Sequence, residues 1–258
     1  MPSTLRHHRA MLMYLLLLTP PLAHCQTAAE AGSGVPHGEH INVVLRATAD
    51  AEVFRPSKGR PGTWPGVVLV SDSTGLDDFL RKRAADLAAK GFQVVAMNPR
   101  LDVPTSNPQD PPHERALREI GGAVTYLEAW CMDPTQVAMV GFGTGGSLAL
   151  DYAMTEKSIR ALIVNYTPLP AGDPMLSHLD VPLLINQAGS DPTTTDEANS
   201  RFLADAHSFH INPHFKQYPK TSHGFDRENF PVYDPAAASD ATARTVTFLK
   251  ANLKTITP

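Results

Sequence analysis

The chain has 258 residues, 42% of them hydrophobic and 19% charged, with a formal net charge of −4. That balance suits one substantial globular core and excludes the strongly basic face that nucleic-acid binding requires. Two cysteines, Cys25 and Cys131, exclude a disulfide framework, because Cys25 lies at the edge of a targeting segment.

In chain order, Met1 to Ala10 is basic, Met11 to Leu18 is apolar, and Pro20-Pro21-Leu22-Ala23-His24-Cys25 resembles a cleavage region. Residues 1–25 are therefore expected to be a signal peptide. The apolar run is far shorter than the roughly 20 residues that cross a bilayer, so no integral membrane span is expected. Cleavage removes Arg6 and Arg9 and no acid, which moves the net charge from −4 to −6. The expected destination is the periplasm or the medium, with a lipid anchor at Cys25 as the alternative to simple cleavage. Residues 26–39 are rich in Ala, Gly and Ser and read as a disordered leader, and residues 40–258 read as one domain.

Within that domain the strand-like runs are Ile41 to Ala47, Ala51 to Arg55, Gly66 to Ser71, Phe92 to Asn98, Gln136 to Gly141, Ala161 to Asn165, Pro182 to Gln187 and His214 to Tyr218. Several are unbroken apolar segments, as parallel strands covered on both faces must be. Between them, Leu76, Phe79, Leu80, Ala84 and Leu87 recur at helical spacing, as do Ala116, Ile120, Ala123, Val124 and Leu127, and near the end Val246, Leu249 and Leu253. The pattern predicts a doubly wound, mostly parallel α/β sheet flanked by helices, with antiparallel strands at its start. Leu101 to Pro112 and Tyr166 to His178 are proline-rich loops after predicted strands, on the side where open α/β sheets bind ligands.

The most informative stretch is Val137 to Gly146, a buried strand running into a glycine turn. In a nucleophile elbow, G-x-Nuc-x-G, the central residue takes a positive φ so that its side chain stands above the sheet. Here that residue is Gly143, which fits the backbone and offers no attacking atom. Downstream, Asp191 follows one predicted strand and His223 follows the last, which is the acid-then-histidine order of an α/β-hydrolase triad. Both are expected at the same sheet edge, with His223 as general base and Asp191 as the group that orients it. Cys131 ends a predicted helix beside Trp130 and reads as a buried small hydrophobe.

These features together resemble the dienelactone hydrolase family of the α/β-hydrolase superfamily. The resemblance rests on Val67-Val-Leu-Val-Ser-Asp-Ser-Thr-Gly-Leu76, Gly141-x-x-x-Gly145-Gly146, Gly189-x-Asp191, His223-Gly-Phe and Tyr233-Asp-Pro-Ala-Ala-Ala238. It implies hydrolysis of small carboxylic esters or lactones. It sets Gly143 at the nucleophile position, Asp72 where the family commonly has a glutamate that interacts with the nucleophile, and the backbone N–H groups of Thr144 and Ser73 at the oxyanion hole. It also sets Arg227 where lactone-cleaving members bind the substrate carboxylate.

Because the attacking atom is missing, three readings stand side by side: a weak or unconventional ester or lactone hydrolase, a non-catalytic homologue that binds a small molecule or a protein partner, and a nucleotide-binding Rossmann protein. The last would rest on Gly141-x-Gly143-x-x-Gly146, but those glycines lie mid-chain and Asn165, not an acid, ends the next strand. Thr144, Ser147, Ser71 and Ser73 are nearby hydroxyls, and a water activated by His223 is a further substitute. No cofactor and no metal are expected. His207, His210 and His214 have helical spacing, but Asn212-Pro213 interrupts it.

Overall fold

The computed structural model describes residues 36–41, 50–101, 110–131 and 133–254. The expected signal peptide, most of the leader, the strand expected beyond Ile41 and most of the loop 101–112 lie outside them. Eight strands form one sheet: β1 (Glu39–His40), β2 (Asp50–Phe54), β3 (Gly66–Val70), β4 (Gln93–Asn98), β5 (Val137–Phe142), β6 (Ala161–Asn165), β7 (Leu183–Ala188) and β8 (His214–Tyr218). Their spatial order is β1-β2-β4-β3-β5-β6-β7-β8. The pairs β1–β2 and β2–β4 are antiparallel and the rest parallel, the arrangement the strand pattern predicts. Pairing begins at Glu39, against Val53, one residue before the expected start of the domain.

Helices α1 (Asp78–Ala89), α2 (Pro112–Trp130), α3 (Thr144–Thr155), α4 (Asp196–Ser208) and α5 (Pro235–Asn252) connect or follow the strands. Their starts are written in the sequence: Asp77 accepts from the Leu80 N–H, Thr195 from Ala198, and Asp234 from Ala236 and Ala237 ahead of a proline. Alternate residues of β3 serve two core layers. Val68 and Val70 pack with Ala116, Ile120 and Leu148 on one face, and Val67 and Leu69 pack with Leu80, Ala84 and Leu249 on the other. Burial on both faces is why β3, β5, β6 and β7 carry no exposed position. No helix among the described residues is long and apolar enough to cross a membrane.

From β3 the chain first moves outward to β4, then returns to the other side of β3 as β5. The strand order therefore reverses between β3 and β5, and a crevice opens above such a point. The loops after β3 and β5 carry Asp72 and Gly143 to that crevice. The amino end of α3 is pressed against the end of β3, and a Cβ on Gly145 would stand 2.1 Å from the Ser71 carbonyl oxygen. Gly145→Ala should therefore push α3 off the sheet and cost on the order of 1–3 kcal/mol, read as a lower urea midpoint at unchanged slope. An unshifted midpoint would show that the packing there is loose.

Candidate active site

At the end of β5, Gly143 has φ 50° and ψ −119°, a conformation that L side chains rarely adopt. Its N–H donates to the Asn165 carbonyl at 3.0 Å, and its own carbonyl accepts from Gly146 and Ser147 to open α3. The turn thus has the backbone of an elbow. A Cβ built on Gly143 would fall 2.4 Å from Asp72 Oδ1 and 2.5 Å from its carboxyl carbon. The space that an elbow side chain would fill is taken by the carboxylate of Asp72.

That carboxylate is held from both sides. Oδ1 accepts from the Ser73 N–H at 2.7 Å, the Thr144 N–H at 3.2 Å and the Thr144 hydroxyl at 3.1 Å. The two amides that the sequence suggests as oxyanion donors do converge, and the oxygen they converge on belongs to the protein. Oδ2 lies 2.8 Å from Nε2 of His223, whose Nδ1 lies 2.7 Å from Asp191 Oδ2. Asp191 is itself steadied by the Thr193 N–H and hydroxyl at 2.8 and 2.7 Å. The β7 and β8 loops are tied by the Ser190 N–H to the Thr221 carbonyl at 2.7 Å. The Asp72 and Asp191 side chains are 6% and 1% exposed, against 35% for His223, so the imidazole is the solvent-facing member of the trio.

The charge state follows from donor counting. Ionised carboxylates only accept, so a ring bonded to one at each nitrogen donates from both and is an imidazolium. Burial pushes the Asp72 carboxyl up, but the His223 ring and the Ser73 and Thr144 amides outweigh it and hold it at about 2. The bond to Asp72 raises His223 above its ordinary 6.5; burial opposes this and Asp191 adds to it.

Other candidates go elsewhere. Ser71 Oγ bonds the Asn98 side chain at 3.4 Å and Ser147 Oγ the Pro168 carbonyl at 3.5 Å. Arg227, expected as an accessible cation for a substrate carboxylate, is 1% exposed. It donates to Asp77 Oδ2 at 2.5 Å and to the Thr74 hydroxyl at 2.8 Å. Its guanidinium lies 4.3 Å and 5.2 Å from the ring centres of Phe79 and Phe230. Two aromatic faces and an acid make it a brace between the β3 and β8 loops. Cys131 is buried, and burial followed by Asp133 and Glu128 pushes its thiol up to about 11. His207 falls in the last turn of α4 and His214 begins β8. Among the described residues no group of His, Cys, Asp or Glu has a geometry that could hold a metal.

Sequence reasoning did not single out Tyr166, whose fully buried ring packs edge-on to His223 with centres 4.8 Å apart. It has φ 38°, uncommon for a bulky residue. Its position, directly after the buried strand β6 at the ligand-binding edge, is the signal that would have found it.

Known proteins share this framework. The chain is 28% identical over 211 residues to carboxymethylenebutenolidase 1 of Cupriavidus pinatubonensis, covering 74% of this chain and 88% of that protein. Its fold superposes on a dienelactone hydrolase-like promiscuous phosphotriesterase from metagenomic libraries with a TM-score of 0.68 at 20% identity, covering 80% and 93% of the two chains. It superposes on esterase 2 of Thermogutta terrifontis with a TM-score of 0.66 at 16% identity, covering 86% and 97%. The family model for dienelactone hydrolases matches residues 49–253, nearly the whole folded domain, and the chain belongs to the dienelactone hydrolase family.

Proposed function

We propose that this protein is an exported hydrolase of the dienelactone hydrolase type that acts on small carboxylic esters or lactones slowly, without a side-chain nucleophile at the elbow. The observation that carries the reading is the Asp72 carboxylate lying where a Gly143 side chain would rise, bonded to His223. Loss of the nucleophile from a serine hydrolase costs on the order of 10⁶-fold in turnover. A histidine acting as general base on water restores about 10² to 10⁴. In this reading His223, oriented by Asp191, serves that role when Asp72 turns aside, and the amides of Ser73 and Thr144 then receive the ester oxyanion. Export follows from the basic, apolar and small-residue order of residues 1–25, and places the domain in the periplasm or the medium.

A second reading is favoured by the filled donor set. While Asp72 accepts from Ser73 and Thr144, no substrate carbonyl can use those amides, and the site binds a small molecule without turning it over.

Assays on p-nitrophenyl butyrate test both. The wild type should run near background, and Gly143→Ser alone should gain little, because its Cβ meets the tethered Asp72 carboxylate. Gly143→Ser combined with Asp72→Ala should gain on the order of 10²-fold or more, and adding His223→Ala should erase the gain. A wild type turning over at the roughly 10 s⁻¹ of ordinary enzymes would overturn the slow-hydrolase reading.

The ion pair makes a separate prediction. The Asp72 value is depressed, so its stabilisation is complete above 3.8 and is lost as pH falls through about 2. The His223 value is raised, so its stabilisation is complete below 6.5 and is lost as pH rises through the folded-state value. The His223 ring, followed by NMR, should titrate above 6.5 in the wild type and at lower pH in Asp72→Asn. An unchanged midpoint would mean that the two groups do not interact in solution.

A further inference from the structure

We propose that Asp72 is itself a nucleophile toward saturated carbon, giving the protein a hydrolytic activity on small alkyl halides. The inference rests on reading Asp72, His223 and Asp191 as one site, and it uses the feature that makes the site poor at esters.

The donors decide which reaction the carboxylate suits. Oδ1 already receives the Ser73 N–H, the Thr144 N–H and the Thr144 hydroxyl. If Oδ2 attacked an ester carbonyl, charge would build on the substrate oxygen, and those donors would be occupied elsewhere. If Oδ2 attacks a saturated carbon, no oxyanion forms in that step and the donors are not needed. They are needed in the next step, when water adds to the carboxyl carbon of Asp72 and charge builds on Oδ1, which they already address. The attacking oxygen is also the freer one: among the described residues its hydrogen-bond partner is Nε2 of His223. Gly143 is part of the device, because any side chain there would collide with this carboxylate.

The atoms balance. Asp72 Oδ2 forms a bond to carbon as the carbon–halogen bond breaks, and halide leaves with the electron pair. The alkyl ester left on Asp72 is neutral, so His223 loses the carboxylate that chiefly kept it protonated. It gives its Nε2 proton to solvent and becomes a base, held in place by Asp191. Water adds to the carboxyl carbon and gives its proton to Nε2. The tetrahedral oxyanion on Oδ1 collapses, the alkoxide leaves, and it takes the proton from Nε2 to become the alcohol. The re-formed carboxylic acid then gives its proton to Nε2, which restores the starting ion pair, so alkyl halide and water become alcohol, halide and the one proton released to solvent.

The test uses the full chain and n-butyl bromide. His223→Gln should stall after the first step and accumulate one butyl group per chain, mapped by peptide mass spectrometry to Asp72 and absent in Asp72→Asn. The wild type turning over in heavy-oxygen water should carry label in the Asp72 carboxylate, a measurement that does not depend on any variant folding. Bromide release should fall by about a thousandfold or more in Asp72→Asn. No adduct and no label at Asp72 would overturn the inference. If p-nitrophenyl butyrate is hydrolysed while Asp72 stays unlabelled, the ester reading survives and this one fails. Label at Asp72 with every variant at background on the ester would leave the alkyl-halide activity standing and overturn the ester reading.

Discussion

One carboxylate organises the site. Asp72 sits between an elbow with no side chain and an imidazole that has a second acid behind it, and each of its oxygens has a separate task. Oδ1 satisfies the amides at the start of α3 and after β3, which would otherwise point unpaired into the crevice. Oδ2 neutralises a histidine held protonated between two carboxylates. Removing the Asp72 carboxylate, as in Asp72→Ala, would leave three donors without their acceptor and an imidazolium with one partner fewer.

The fold supports that carboxylate by close backbone approach. The amino end of α3 lies against the Ser71 carbonyl, where only glycine at 145 fits, and this brings Thr144 within reach of Asp72. On the far side, Arg227 ties the β8 loop to Asp77 and Thr74, just beyond Asp72 in the chain. The elements that deliver Asp72 and His223 are thereby joined independently of the ion pair between them. Tyr166, packed edge-on to His223, limits how far the ring can tilt. Asp72, His223 and Asp191 are bonded to one another or to neighbouring amides and hydroxyls, and such a connected trio resists opening.

Reach of side chains was the part least legible in sequence. The family resemblance sets Arg227 at a substrate carboxylate and carries no information about its burial. Its burial depends on Phe79 and Phe230, the first 148 residues away, closing on it from two sides. Helix α4 gave a weak signal, since Asn199, Phe202 and Ala206 are the only residues it buries. The position of Asp72 was clear, but not that its carboxylate would fill the elbow, because that depends on a contact between loops 71 residues apart in the chain.

What the amino-acid sequence determined by itself was the α/β architecture, the glycine elbow and the loops bearing Asp191 and His223. Unbroken apolar strands, helical spacing and the placing of glycine are local properties, and local sterics and burial decide them. Only the tertiary structure decided which oxygen faces which donor, that the Ser73 and Thr144 amides are occupied by Asp72, and that Arg227 is a brace. Those outcomes depend on distances of 2.7 to 3.2 Å between segments far apart in the chain. Spacing along the chain carries no information at that scale.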